Sequence, residues 1–153
     1  MSLSSKVIEI LAGKTLATAE SCTGGGIGAA LTAVPGSSAV YKGGVISYTN
    51  EIKQEILCVP AEWLDKYGAV SPWVAMEMAS GVRGLLHTDV AVSVTGLAGP
   101  GGDEYGHPMG TVYIAYEDRE RNGVHHYQFE GDREAVRNQA IEAALKLILL
   151  YNE

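Results

Sequence analysis

The chain has 153 residues, 46% of them hydrophobic and 19% charged, a composition typical of one soluble globular domain with a substantial core. Its net charge of −7 disfavours a nucleic-acid or anionic-membrane surface, since both require clustered Lys and Arg. The two cysteines and four histidines lack metal-ligand spacing, so we expect neither a metal nor another cofactor. The absence of a bilayer-length apolar run or a signal-peptide pattern predicts a cytoplasmic protein.

Hydrophobic spacing predicts alternating helices and strands in the first half of the chain. Gly and Pro mark several of the predicted ends, and a proline at the first helical position supports the longest helix. The predicted elements are a helix over 5–12, a strand over Thr15–Glu20, a helix over Ile27–Val34, a strand over Gly43–Tyr48, a helix from an Asn50 N-cap to Leu57, a short helix over Ala61–Tyr67 and a helix from Ser71-Pro72 to about Leu86.

The second half begins with a buried strand and a glycine-rich loop, and it ends with a hairpin and a helix. The predicted elements are a strand over Asp89–Thr95, a loop over Gly96–Gly110, antiparallel strands over Thr111–Glu117 and Val124–Glu130 with Asn122-Gly123 in their connection, and a helix from an Asp132 cap to about Tyr151. This order predicts a single three-layer α/β/α domain over residues 1–153, around a mixed, mainly parallel sheet.

The turn after the first strand, Glu20–Gly25, combines a serine with consecutive glycines and leads into a helix. Such a turn presents a side-chain oxygen and unpaired backbone N–H groups, which suits a nucleophile elbow or an anion cradle. The standard motif of neither is present, and Thr23 could instead be a simple N-cap. If the strands are parallel neighbours, this turn converges with two further loops, Tyr48–Lys53 and Thr95–Gly102.

Lys53 stands out among these loops because it falls in the first turn of a helix that Asn50 is predicted to cap. The helix dipole disfavours a cation there, so a phosphate ligand or a lysine with a lowered pKa is one interpretation. A solvated surface lysine is the other. Tyr48 could pack or relay a proton, and Arg137 could face solvent, a carboxylate or a phosphate.

Seven segments of the chain resemble the CinA C-terminal domain family in sequence and in order. They are Ala19–Gly25, Pro35–Ser38, Gly43–Lys53, Gly68–Ser71, Ser93–Gly102, Pro108–Val112 and Gly131–Arg133 with Arg137 and Ala140. The resemblance implies hydrolysis of the carboxamide of nicotinamide mononucleotide to nicotinate mononucleotide and ammonia, by a metal-independent Ser/Tyr/Lys mechanism. The alternatives are a non-catalytic nucleotide-binding or competence-damage-associated module, and an amidase acting on a related nucleotide amide.

Two serines compete as the nucleophile. We favour Ser38, with Tyr48 and Lys53 completing the reacting group, over Ser21, whose turn would then serve as a cradle. The remaining residues expected to contact substrate are Glu20, Cys22, Thr23, Gly24, Gly25, Ser37, Asn50, Thr95, Gly96, Gly99 and Arg137.

The expected partner is a small-molecule nucleotide, with no nucleic acid and no membrane. We also expect a homo-oligomer, because the last helix carries a broad apolar band and the hairpin is rich in aromatic residues. The alternative is that this band is buried within the same chain.

Overall fold

The computed structural model describes all 153 residues, which form one five-stranded sheet with helices on both faces. The strands are β1 (Leu16–Glu20), β2 (Tyr41–Ile46), β3 (Val90–Gly96), β4 (Thr111–Glu117) and β5 (Asn122–Gln128). The helices are α1 (Leu3–Ile10), α2 (Gly26–Thr32), α3 (Asn50–Glu55), α4 (Ala61–Tyr67), α5 (Pro72–Leu86) and α6 (Arg133–Asn152), with a short 3₁₀ turn at Ser37–Ala39.

The strand order is β2-β1-β3-β4-β5, which confirms the mixed α/β sheet. β1 lies parallel to β2 and β3, with Glu20 opposite Ile46 and Val94, whereas β3–β4 and β4–β5 are antiparallel. The carboxyl ends of β2, β1 and β3 therefore meet at one edge of the sheet. This edge is where the three polar and glycine-rich loops were predicted to converge.

The sheet separates two apolar layers. One core joins α1, α2 and α6 to the sheet through residues such as Val7, Leu31 and Ile148. The other joins α5 to the opposite face through residues such as Val74 and Met78. β1 is buried along its whole length because it lies between β2 and β3 and is covered on both faces, which explains its mainly apolar character.

The apolar band of α6 is largely buried within the chain. Ala144, Leu147 and Ile148 belong to the core, while Leu150 is the large apolar residue of this helix that is exposed. Burial in the same chain therefore accounts for most of the band, and assembly into an oligomer stays a prediction. None of the helices is both long enough and apolar enough to cross a membrane.

Several predicted boundaries differ from the structure, and two of them, the hairpin turn and the bounds of α3, have a clear physical reason. Asn122-Gly123 lies inside β5, and the hairpin turns earlier, because one Asp118 carboxylate oxygen accepts the N–H groups of Glu120 (2.9 Å) and Arg121 (2.7 Å). The N-cap of α3 is Thr49, whose hydroxyl accepts the N–H of Ile52 at 3.3 Å. Asn50 is thus the first helical residue, and the helix ends at Glu55 rather than Leu57.

Candidate active site

A cleft of about 340 Å³ opens at the carboxyl edge of the parallel strands, within the size range of about 300–1,000 Å³ that is usual for small-molecule sites. All three predicted loops contribute to it. The lining residues are Ser21, Cys22, Tyr48, Lys53, Ala69, Val70, Thr95, Gly96, Leu97, Ala98, Gly99, Pro100, Gly101, Gly102 and Arg133.

Lys53 lies at the base of this cleft and is only 1% exposed. Its Nζ donates to Ser21 Oγ at 3.0 Å, to the Ser47 carbonyl at 2.7 Å and to the Tyr48 carbonyl at 3.3 Å. All three acceptors are neutral, and Lys53 forms no ion pair. The interpretation of Lys53 as a solvated surface residue is therefore wrong.

Burial lowers the pKa of Lys53 from 10.5 to about 8. The cause is the removal of the ammonium from water, which disfavours the charged form. The direction agrees with the predicted shift, although its origin differs, because the sequence argument relied on the helix dipole. Lys53 also lies one position further into α3 than predicted, since Thr49 is the cap.

Backbone hydrogen bonds on both sides fix the position of Ser21 just beyond the end of β1. Its N–H donates to the Val94 carbonyl at 3.0 Å, which continues the pairing with β3. Its own carbonyl accepts the N–H of Gly24 at 3.1 Å, and Gly24 and Gly25 adopt positive φ angles of 59° and 100°. The glycines thus turn the chain sharply enough to leave Ser21 facing Lys53.

The backbone N–H groups of Cys22 and Thr23 donate to no protein acceptor. Cys22 lines the cleft, directly after Ser21. Burial raises the pKa of its thiol to about 11, so the side chain stays a neutral thiol at pH 7. In enzymes with a serine on a tight turn, the N–H of the following residue commonly stabilises an oxyanion.

The N-terminus of α2 is occupied by Glu20 and is not free to bind a phosphate. The buried carboxylate accepts the Thr23 hydroxyl at 2.6 Å and the N–H groups of Ile27 and Gly28 at 2.8 and 3.0 Å. The predicted anion cradle is therefore filled by the protein's own carboxylate. Thr23 is not an N-cap, because Gly25 holds that position and the Thr23 hydroxyl serves Glu20.

Arg137 supports the same turn from α6. Its Nε donates to the Cys22 carbonyl at 2.9 Å and its Nη2 to the Thr23 carbonyl at 3.2 Å. Neither Arg137 nor the glycine pair Gly24-Gly25 lines the cleft. These residues shape the turn that carries Ser21, and their predicted contact with substrate is not supported by the geometry.

Ser38 lies at the opposite edge of the sheet from Lys53. It belongs to the 3₁₀ turn before β2, which begins opposite Leu16, whereas Ser21 follows the other end of β1. The six residues of β2 separate the two edges by ~20 Å. Within one chain the predicted reacting group of Ser38 with Lys53 is therefore wrong, and Ser37, in the same turn, is equally remote.

The other predicted residues divide between the cleft and the surface. Thr95, Gly96 and Gly99 line the cleft, and the Thr95 hydroxyl donates to the Ala69 carbonyl at 2.8 Å. Asn50 is exposed and lies outside it. The phenol of Tyr48 lines the cleft but accepts from Arg133, at 3.0 Å, and forms no hydrogen bond with Lys53.

Arg133 is the main residue that the sequence argument missed. It is the first residue of α6, where the helix dipole disfavours a cation, so the signal that singled out Lys53 was present here too. Ala69 and Val70 were also missed, because apolar residues in loops carry no distinctive pattern. Leu97 and Ala98 lie in the predicted loop Thr95–Gly102 but were not among the residues expected to contact substrate. No group of three metal-binding side chains lies close enough together to hold an ion.

The sequence model of one family, the CinA C-terminal domain, matches residues 1–151. A CinA-like protein of Parasynechococcus marenigrum is 57% identical over 116 residues, which cover 74% of this chain and 28% of that protein. A CinA-like protein of Desulfotalea psychrophila is 48% identical over 139 residues, covering 91% of this chain and 34% of the relative. The chain thus spans about a third of the length of these curated relatives.

Solved structures share the whole fold. A competence-damaged protein (CinA) superfamily protein from Klebsiella pneumoniae superposes with a TM-score of 0.93 at 40% identity, covering 95% of this chain and 92% of that one. The competence/damage inducible protein CihA from Agrobacterium tumefaciens gives a TM-score of 0.95 at 37% identity, covering 99% and 94%. These likenesses extend over both helix layers and the sheet.

Proposed function

The chain belongs to the CinA C-terminal domain family, and from this premise we propose that it hydrolyses the carboxamide of nicotinamide mononucleotide to nicotinate mononucleotide and ammonia. The observation that carries the proposal is the contact of 3.0 Å between Lys53 Nζ and Ser21 Oγ in the cleft. A lysine that can lose its proton, in contact with a serine on a tight turn, is the arrangement that nucleophilic attack on an amide requires.

Lys53 serves as the general base in this mechanism. With a pKa of about 8, about a quarter of the Lys53 side chains are neutral at pH 7.5, against about one in a thousand at the ordinary pKa of 10.5. Neutral Lys53 Nζ accepts the Ser21 hydroxyl proton as Ser21 Oγ attacks the carboxamide carbon. The two carbonyl acceptors of Lys53 keep the amine directed at the serine.

The tetrahedral intermediate carries a negative oxygen that needs a donor. The N–H of Cys22 is adjacent to the nucleophile and donates to no other protein group, so we assign it this role. Lys53 then returns its proton to the amide nitrogen, the C–N bond breaks, and ammonia leaves an ester on Ser21. A water molecule that gives a proton to Lys53 attacks this ester. Lys53 passes that proton to Ser21 Oγ as the ester C–O bond breaks, which releases the carboxylate product and restores the serine and the neutral lysine.

The cleft also suits a flat heteroaromatic ring. Val70, Leu97, Ala98 and Pro100 provide apolar surface around the serine, and the glycines beside them let a ligand approach the backbone closely. This lining supports a nucleotide amide as substrate, and amides other than nicotinamide mononucleotide are the finer alternative.

The test is ammonia release from nicotinamide mononucleotide by the purified protein, measured with and without a chelator. We expect one nicotinate mononucleotide per ammonia and no effect of chelation. Binding without turnover would instead favour the nucleotide-binding module, and loss of activity on chelation that one divalent ion restores would contradict the serine–lysine mechanism. Lys53→Met is the matched inactive variant.

A further inference from the structure

The cleft contains two cations and no carboxylate, although the chain has a net charge of −7. The cations are Lys53, which is committed to Ser21, and Arg133 at the rim. A cleft with this charge pattern in an acidic protein favours an anionic ligand group, because the remainder of the molecule repels it. Which of the two cations binds this anionic group depends on the partners that each already has.

Arg133 is tied only to neutral acceptors. Its Nη1 donates to the Gly99 carbonyl and its Nη2 to the Tyr48 phenol at 3.0 Å, and it takes part in no ion pair. An arginine without a carboxylate partner gains most from an anion, since charge-assisted hydrogen bonds are stronger than bonds to neutral acceptors. Its two anchors belong to different loops of the cleft, since Gly99 follows β3 and Tyr48 follows β2, so Arg133 links these loops.

The other phosphate-binding candidates nearby are already used. Glu20 occupies the N-terminus of α2, and the Arg137 guanidinium donates to the carbonyls of Cys22 and Thr23. By contrast, the N–H groups of Gly101 and Gly102, which line the cleft with Arg133, donate to no protein acceptor. Arg133 is therefore the cation of the cleft that is free to bind a phosphate, and the glycine segment beside it supplies backbone donors.

Tyr48 sets the separation between the two cations. Its carbonyl accepts from Lys53 Nζ and its phenol accepts from Arg133 Nη2, so the length of one tyrosine residue lies between them. In a mononucleotide amide the reacting carboxamide and the phosphate are likewise held apart, by the ring and the ribose. We propose that Arg133 binds the 5′-phosphate of the substrate and thereby distinguishes the nucleotide from its nucleoside; this rests on the function proposed above.

The test compares nicotinamide mononucleotide with nicotinamide riboside, which lacks the phosphate. Arg133→Ala should lower kcat/KM for the nucleotide by about tenfold to hundredfold, mainly by raising KM. It should leave kcat/KM for the riboside unchanged. For the nucleotide, the kcat/KM of Arg133→Lys should lie between those of the wild type and Arg133→Ala, because lysine keeps the charge but not the fork of donors. Tyr48→Phe, which removes one anchor of Arg133, should raise KM for the nucleotide only, whereas a proton relay through this phenol would lower kcat for both substrates.

The control is Arg119→Ala, which removes an exposed arginine paired with Asp89 at the opposite edge of the sheet. This substitution should leave kcat/KM for both substrates unchanged. An equal loss with both substrates, or no loss with the nucleotide, on Arg133→Ala would overturn the proposal.

Calorimetry separates this proposal from the proposed function. If the wild type turns over neither compound, tighter binding of the nucleotide than of the riboside, abolished by Arg133→Ala, still supports the phosphate site. Equal binding of the two compounds, or binding of neither, overturns it.

Discussion

Replacing the buried lysine by a neutral side chain should change how stability depends on pH. In Lys53→Met the group with the lowered pKa is gone, while the fold around it retains its apolar packing. In the wild type, Lys53 has a pKa of about 8 when folded and 10.5 as its ordinary value. The folded state therefore loses this proton at a lower pH than the unfolded state does.

The sign follows from proton binding. Below pH 8 both states of the wild type carry the proton, and the folded state holds an unfavourable buried charge. Between pH 8 and 10.5 the unfolded state binds more protons, so stability rises with pH. For these two pKa values, the free energy of unfolding of the wild type should gain about 2 kcal/mol over Lys53→Met between pH 7 and pH 9.5.

The assay is urea unfolding of both proteins at several values across this pH range. The informative quantity is the change with pH of the difference in unfolding free energy between the two proteins. The difference removes the titration of the groups they share, and the cost of leaving the Ser47 and Tyr48 carbonyls without their donor adds the same amount at every pH. For Lys6→Met, which removes an exposed lysine of α1, the free energy of unfolding should vary with pH in parallel with that of the wild type. If the values for Lys53→Met also run parallel to the wild type, Lys53 is not a buried cation with a lowered pKa.

Three further predictions address the site and its setting. The wild-type kcat/KM should rise about tenfold per pH unit below pH 8 and level off above it. Lys53→Arg should be inactive at every pH, because a guanidinium does not release its proton. A pH profile of kcat/KM without an inflection between pH 7 and 9 would contradict the assignment of Lys53 as the base. Glu20→Gln should cost about 1–2 kcal/mol of stability at pH 7 and leave KM little changed, because this carboxylate caps α2; a raised KM at unchanged stability would identify it as a substrate ligand. We also predict a two-fold homodimer, which light scattering behind size exclusion would refute if the mass stays near 16.2 kDa at all micromolar concentrations.

The architecture could be predicted from sequence because its signals are local. The apolar run of β1, the proline that opens α5 and the Asp132 cap of α6 each specify an element without reference to the remainder of the chain. The prediction of the hairpin turn was wrong because a side chain outside the expected Asn-Gly motif stabilises it. The Asp118 carboxylate accepts the backbone N–H groups of the turn that Asn122-Gly123 was expected to form.

The site was only partly predictable because its pairings are long-range. The convergence of three loops followed from strand direction, and Lys53 was identified by its position in a helix. Ser21 follows β1 and Ser38 precedes β2, so the same strand directions place the two serines at opposite edges of the sheet. The preference for Ser38 did not use this information. Glu20 was ambiguous, since a carboxylate beside a helix N-terminus can cap the helix or face a ligand.

The most direct test of the account is the turnover of nicotinamide mononucleotide by Ser21→Ala and Ser38→Ala, measured side by side with the wild type. We predict that Ser21→Ala loses at least ~10³-fold in kcat while its Kd for the nucleotide is nearly unchanged, because it lacks only the nucleophile. Ser38→Ala should keep most of the wild-type rate. An active Ser21→Ala beside an inactive Ser38→Ala would contradict the assignment of the lysine–serine pair.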